Sequence, residues 1–206
     1  ALRTRVDLPK NIAFVGAGAF LDTALTEASF ETTRPPEVAD SAFSEDVSQY
    51  LQNGLYYTGM SGQQFQDGDF IFEAVEDLGV AVVDVLDTTS ETIVIPETAT
   101  FVNENGVSYT YPVTWLGAES FNVSGDGRLV APMRILDGTR AATLVIPDTV
   151  TTVAQWAFLE APCLEALVLP EGVTEIHKQA FWNSRSLESA VLPASLTMVG
   201  DGAFED

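Results

Sequence analysis

The stretch LVLPEGVTEIHKQAFWNSRSLESAVLPASLTMVGDGAF, residues 167–204, contains the same pattern twice. In each copy a short aliphatic run ends at a proline, and a phenylalanine preceded by alanine follows at the same distance from it. The 23-residue period is identical from Pro170 to Pro193 and from Phe181 to Phe204. A fixed period of roughly 20 to 29 residues is typical of a solenoid in which every coil contributes one short strand. The stretch therefore predicts a repeat fold with phenylalanine in its interior.

The same register occurs elsewhere in the chain. Ser120-Phe121 marks a longer copy, because its phenylalanine lies farther from Pro96 than the usual offset. Pro147 and Pro9 stand at that usual offset from their phenylalanines. The remaining copies end at Phe20, Phe43 and Phe158.

A pair of glycines, Gly16 and Gly18 in NIAFVGAGAF, resembles the turn that binds the phosphates of a dinucleotide. The repeat gives a different explanation, because His177 stands at the position equivalent to Gly16, and such a turn does not accept histidine. Leu21 also stands where the dinucleotide motif needs Gly or Ala. We therefore expect surface turns here and no cofactor. The equivalent positions, at one fixed offset before each phenylalanine, are Gly16, Gly117, Ala154, His177 and Gly200.

The strand segments predict one exposed column of side chains. If Leu167 and Leu169 point inward, the alternation of a strand turns Ala166 and Val168 toward solvent. Acidic residues flank the strands at Glu91, Glu165 and Glu188. This face is either a binding surface or simply a ladder of good strand formers. Its predicted members are Thr92, Val94, Thr143, Val145, Ala166, Val168, Ser189 and Val191.

The 23-residue Leu-Pro…Ala-Phe pattern resembles the BspA-type leucine-rich repeat of bacterial surface proteins, over residues 5–48 and 90–206. The resemblance implies a right-handed solenoid of short parallel strands, joined by turns or short helical segments. It also implies an exported, surface-held parent that attaches to host or neighbouring-cell proteins or glycans. The chain departs from the family's frequent cysteine at Ala161 and Ser184, and a uniform asparagine ladder cannot form. The positions of that ladder are Asn11, Thr149, Gly172 and Ser195.

The pattern divides the chain into three parts. Residues 1–48 are expected to be the end of one array, with FETTRPPEVADSAF as a degenerate copy, and residues 49–68 a linker or loop. Residues 69–206 are expected to form a second array, whose N-terminal hairpin around Asp77-Leu78-Gly79 covers the first repeat. A second hairpin is predicted at Asn105-Gly106, and a third insertion after Phe121, at SGDGR. Because the sequence stops in mid-repeat, we expect a longer parent protein that carries the signal and the anchor.

Composition narrows the chemistry. A net charge of −21, with no Lys or Arg between Pro35 and Gly127, disfavours nucleic acids and anionic membranes as partners. No apolar run approaches the roughly 20 residues of a membrane span, so direct insertion is not expected. With Cys163 and His177 the only cysteine and histidine, no nucleophile or metal motif emerges. Asp67-Gly68-Asp69 does not fit a calcium loop, and we predict no metal.

Three hypotheses of function follow. The first is a non-catalytic binding module of a cell-surface or secreted protein, with adhesion as its role. The second is a passive spacer that supports another domain. The third and most remote is an enzyme. The sequence shows no catalytic constellation, and only a carboxylate pair for glycoside hydrolysis stays open, because such a pair is defined by its separation in space.

Overall fold

The computed structural model describes residues 4–9, 12–30, 37–39, 41–51, 54–55, 62–75, 79–118, 122–123, 129–130 and 134–206. Within these ranges the chain forms short strands joined by turns and contains no helix. In chain order the strands are β1 (Thr4–Leu8), β2 (Phe14–Val15), β3 (Leu25–Phe30), β4 (Glu37–Val38), β5 (Ser48–Leu51), β6 (Gln64–Asp67), β7 (Phe70–Ala74), β8 (Val80–Val85), β9 (Thr92–Val94), β10 (Thr98–Val102), β11 (Ser108–Leu116), β12 (Asn122–Val123), β13 (Leu129–Val130), β14 (Thr143–Val145), β15 (Thr152–Val153), β16 (Ala166–Val168), β17 (Glu175–Ile176), β18 (Ser189–Val191) and β19 (Met198–Val199).

Each coil of the second array contributes one strand to each of two sheets. The first sheet has the order β18-β16-β14-β9, and all its neighbouring strands are parallel. The second sheet contains β19, β17, β15 and β11, which are also parallel to one another. A proline turn separates the two strands of a coil, as the hydrogen bond from the Val173 N–H to the Pro170 carbonyl shows. The repeat fold predicted from the 23-residue period is confirmed.

The interior between the sheets holds a file of phenylalanine rings. The ring centroids of Phe158 and Phe181 are 4.9 Å apart, as are those of Phe181 and Phe204. The rings are nearly parallel, with interplanar angles of 8° and 1°. Neighbouring strands of a sheet lie about 4.8 Å apart, so the ring spacing matches the rise from one coil to the next. The predicted alignment of these side chains is therefore confirmed.

An isoleucine continues the file before Phe158. The Ile135 N–H donates to the Ala157 carbonyl of the next coil at 3.0 Å. Phe158 and Phe181 make the equivalent hydrogen bond to their next coils, at 2.8 and 2.7 Å. Ile135 is also fully buried and lies one repeat length before Phe158. The sequence pattern assigns this place to Phe121, which lies outside the described residues. From Ile135 to Phe204 the 23-residue spacing is uninterrupted. The third insertion therefore ends before Ile135.

Two positions that flank the phenylalanine adopt the left-handed backbone conformation, with φ between 53° and 71°. The glycine pair at the N-terminus lies in such a turn, as predicted, but Gly18 rather than Gly16 has the positive φ. Among the positions equivalent to Gly16, only Gly117 has one, at 75°. The left-handed residues lie two before or two after the phenylalanine, at Gly18, Trp156, Gln179 and Gly202, and at Asp22, Glu160 and Asn183.

A serine side chain joins two coils where the backbone turns. The Ser184 hydroxyl donates to the Phe158 carbonyl at 2.6 Å and accepts from the Ala161 N–H at 3.3 Å, beside the stacked rings. Buried carbonyl and N–H groups at a turn are costly when unpaired, and serine satisfies one of each. Serine thus replaces the cysteine that is frequent at this position of the repeat and satisfies the two backbone groups by hydrogen bonding.

The N-terminal segment repeats this architecture. Strands β1, β3 and β5 form a parallel sheet, β2 pairs in parallel with β4, and the rings of Phe20 and Phe43 stack at 5.1 Å. A cluster of its own buried side chains, separate from that of the second array, fills this segment. The prediction of a linker or loop at residues 49–68 is wrong in part. Strand β5 enters it, β6 lies in it, and Leu55 is fully buried in the core of the second array.

Both predicted hairpins are present. Strands β7 and β8 are antiparallel, β6 pairs with β7, and β8 joins the second sheet by pairing in parallel with β11. Strands β10 and β11 are antiparallel and connected through Gly106, whose φ is 76°. The side chain of Asn103 fastens this turn by accepting hydrogen bonds from the N–H groups of Asn105 and Val107.

Several predicted features lie outside the described residues. These are the tip of the first hairpin at 76–78, part of the degenerate repeat at 31–36, the Ser120-Phe121 pair, and the SGDGR loop at 124–128.

We expect Phe181→Ala to lower the free energy of unfolding by about 3–5 kcal/mol, because a ring buried between two others is removed. Phe204→Ala is the matched control, since Phe204 stacks on Phe181 but is 38% exposed. It should cost only about 1 kcal/mol, the value of an aromatic pair. Urea denaturation measures both, and equal, small losses would contradict a core built on the phenylalanine file.

A second pair of variants tests the left-handed turn. Asn183 has a φ of 57°, so Asn183→Val should destabilise the protein by about 1–2 kcal/mol more than Asn183→Gly. Both variants lose the same hydrogen bonds to Glu160 and Arg185, and their difference isolates the backbone. Thermal unfolding measures it. The same exchange at Arg185, which does not have a positive φ, should show no advantage for glycine.

Candidate functional site

The outer face of the first sheet, β18-β16-β14-β9, is a regular surface of the second array. Its strands alternate as predicted: Leu167 and Leu169 are 1% and 3% exposed, whereas Val168 is 58% exposed. The equivalent valines of the other three strands are also exposed, to 62%, 49% and 59%. We call this set the valine stripe: Val94, Val145, Val168 and Val191.

Parallel register places the valines side by side. Val94 lies opposite Val145, and Val168 lies opposite Val191. The pairing of Thr143 with Ala166 keeps the two halves in the same register. With strands about 4.8 Å apart, the stripe runs for roughly 14 Å across the sheet. A second row accompanies it two residues earlier in each strand, and this small-residue row is Thr92, Thr143, Ala166 and Ser189.

Ala166 differs from the prediction in degree. It is only partly exposed, whereas Thr92, Thr143 and Ser189 are exposed. The structure thus brings the eight predicted residues together on one face, with the valines as its most exposed apolar part.

Acidic side chains border the face at both ends of its strands. The predicted row, here the first acidic row, is Glu91, Glu165 and Glu188, and all three are exposed. A second acidic row, which was not predicted, lies directly after the prolines. It consists of Glu97, Asp148 and Glu171 and is likewise exposed. Its signal was present in the repeated sequence: an acid follows Pro96, Pro147 and Pro170.

No cation neutralises these borders within the described ranges. Ion pairs between described residues join Arg134 to Glu160 and Arg5 to Asp7, and neither involves the two acidic rows. The loop before β9 adds another carboxylate, Asp87. Its pKa lies well below the usual range because it accepts hydrogen bonds from the Ser90 and Thr89 side chains and N–H groups. The face is therefore apolar along its centre and anionic along its margins.

The second sheet carries a different column, which the sequence analysis also missed. The hydroxyls of Thr151, Thr174 and Thr197 each donate to the carbonyl of the threonine one coil earlier, at 3.2, 3.4 and 3.0 Å. The first acceptor is Thr114. The regular spacing of these threonines was the available signal. Because the hydroxyls bond within the fold, this column is structural and has less capacity for a ligand.

The remaining candidate side chains do not belong to the valine stripe, the small-residue row or the two acidic rows. His177 occupies a turn, with its Nε2 atom 3.2 Å from the Glu175 carboxylate and its ring edge-on to Trp115. Cys163 is half-buried. Glu73 is a buried carboxylate, but the Gly62 N–H and the Gln64 amide bind it inside the hairpin. Among the described residues no three metal-ligating side chains come together.

No helix among the described residues has the length and apolar character of a membrane span.

Comparison with known proteins agrees with the repeat geometry. Residues 134–206 match the model of the BspA type leucine rich repeat region in six copies. This range begins one residue before Ile135, where the unbroken register starts. No curated protein matches the chain.

Solved structures of bacterial leucine-rich repeat proteins are also similar. One from Bacteroides capillosus is 24% identical, with 68% of this chain and 99% of that chain covered and a TM-score of 0.42. One from T. pallidum is 22% identical, with 70% and 67% covered and a TM-score of 0.44. A leucine rich cell surface protein from Faecalibacterium prausnitzii is 17% identical, with 98% and 56% covered and a TM-score of 0.39. The family match and the coil geometry agree over residues 134–206, which are similar to the BspA type leucine rich repeat region.

Proposed function

We propose that the second array is a non-catalytic binding module, and that the outer face of its first sheet contacts a protein or glycan of a host or neighbouring cell. The valine stripe carries the proposal. In the same strands the large apolar side chains of Ile93, Leu144 and Leu167 are buried. The four valines are therefore the large apolar side chains of these strands that face solvent. A row of apolar side chains on a regular sheet is the kind of surface that solenoids present to partners.

Rigidity supports this use. Valine has a single side-chain torsion of restricted freedom. The strands of Val145 and Val168 have parallel neighbours on both sides, and those of Val94 and Val191 have one each. Because these side chains are already ordered, a partner that binds them causes little further loss of side-chain entropy. Hydroxyls of Thr92, Thr143 and Ser189 beside the stripe add donors and acceptors that can select orientation.

The repeat family supports a cell-surface or extracellular location for this module. In the same proposal the solenoid is right-handed, as parallel crossover connections almost always are. The β7–β8 hairpin acts as its cap, because β8 pairs with β11 and so occupies the edge of the second sheet that would otherwise be open.

The test compares two valines that receive the same substitution. Val168→Glu places a charge in the stripe, whereas Val102→Glu places it on the β10 hairpin, where Val102 is 55% exposed. In a binding screen against matrix proteins and glycans, Val168→Glu should weaken a saturable interaction at least about tenfold, because a buried unpaired carboxylate is costly. Val102→Glu should leave it unchanged.

The other outcomes select other functions. Loss of binding only with Val102→Glu would move the site to the hairpin and contradict the proposal. No saturable binding by the wild-type protein would favour the passive spacer. Circular dichroism of both variants confirms that the fold is intact.

A further inference from the structure

We infer that the partner of the first sheet is a cationic protein segment, one that carries Lys or Arg on both sides of an apolar strip. This inference rests on the proposed binding function and names the chemistry of its partner. The valine stripe supplies the apolar contact, and the two acidic rows supply the charges to either side.

The size of the stripe shows that valine alone is not enough. A standard protein interface buries about 800 Å² on each partner, which exceeds what four partly exposed valines can offer. A partner seated on the stripe must therefore extend over the ends of the strands. There it meets the exposed carboxylates of Glu165 on one side and Glu171 on the other.

The spacing of these groups suits long cationic side chains. Glu165 and Glu171 each lie three residues from Val168, which is at most about 10 Å at the rise of a strand. A segment about 10–12 Å wide, the diameter of a helix with its side chains, lies between the two rows. Lys and Arg at its borders reach outward while their aliphatic stems cover the apolar strip.

Charge complementarity also decides against a polyanionic glycan. None of the carboxylates in the two acidic rows is paired with a cation among the described residues. In a chain of net charge −21, they make this face repel sulfated or uronic polymers and attract cations over a distance set by ionic strength. Complementary charges steer encounter and select partners more than they add affinity.

The experiment uses a designed 18-residue Leu/Lys peptide with one apolar face bordered by lysine. Two matched probes are its Leu/Glu counterpart and a scrambled Leu/Lys peptide without an apolar face; heparin is a fourth. Fluorescence polarisation at two salt concentrations, with the full chain, gives the affinities. We expect the Leu/Lys peptide to bind at least tenfold more tightly than the other three probes, and more weakly at higher salt.

Neutralising variants locate the interaction. The triple variant Glu165→Gln, Glu171→Gln, Glu188→Gln should weaken peptide binding about tenfold at low salt, from three exposed charge pairs. The control Asp22→Asn, Glu104→Gln, Asp201→Asn changes net charge equally at exposed sites off this face and should have little effect. Thermal unfolding verifies that both triple variants are folded.

Each remaining outcome overturns the inference. These outcomes are no binding of the Leu/Lys peptide, equal binding of the scrambled or Leu/Glu probes, preference for heparin, or equal weakening by the two triple variants. The proposed binding function fails separately, when Val168→Glu leaves an identified natural interaction unchanged. A partner that needs Val168 but is indifferent to the acidic rows would retain the function and reject the cationic segment.

Discussion

The stacking of one phenylalanine on the next, at 4.9 Å between ring centroids, is the constraint on which the array depends. Each coil from β14 onward has one strand of three residues and one of two, and no face that it can bury alone. Only the next coil covers the ring and pairs the strands. Solenoids owe their stability to such contacts between neighbouring repeats. The ring spacing and the strand spacing must agree, and here both follow from the same repeat period. At Gly172 the backbones of adjacent coils lie so close that a Cβ would clash with the Asp148 carbonyl oxygen.

Features that repeat every 23 residues with the same residue type could be predicted from the sequence. Features in which a different residue type fills the same structural position could not. The spacing of Phe158, Phe181 and Phe204 was enough to predict their alignment. Ile135 has the same spacing, but the repeat pattern is recognised by its phenylalanines, and an aliphatic side chain that fills the same space does not stand out in it. The turn conformation was equally hidden. Trp156 and Gln179 adopt the left-handed φ that Gly18 adopts, and nothing in their identity signals it.

The outer face of the first sheet could also be predicted only in part. Alternation of buried and exposed side chains follows from strand geometry, and so the eight outer residues could be named in advance. The second acidic row was visible only by aligning the residue after each proline, and its relation to the valine stripe required the parallel register. Because every coil repeats its predecessor, a single residue type at one repeat position becomes a continuous row. A small preference in the sequence thereby becomes an extended surface.

The acidic rows destabilise the array through charge repulsion, and the coil does not need acidic residues at these positions. Glu97, Asp148 and Glu171 lie in adjacent coils, where like charges directly opposite one another are destabilising. The chain elsewhere pairs an acid with a cation across coils, as in Arg134 with Glu160 at 2.6 Å. The position after the repeat proline is exposed in the four coils of the second array, and Ala194 occupies it in the last one, so the backbone accepts a neutral residue there. The accumulation of carboxylates is thus a property of this sequence rather than of the coil, and a cationic partner would relieve the repulsion that the isolated array retains.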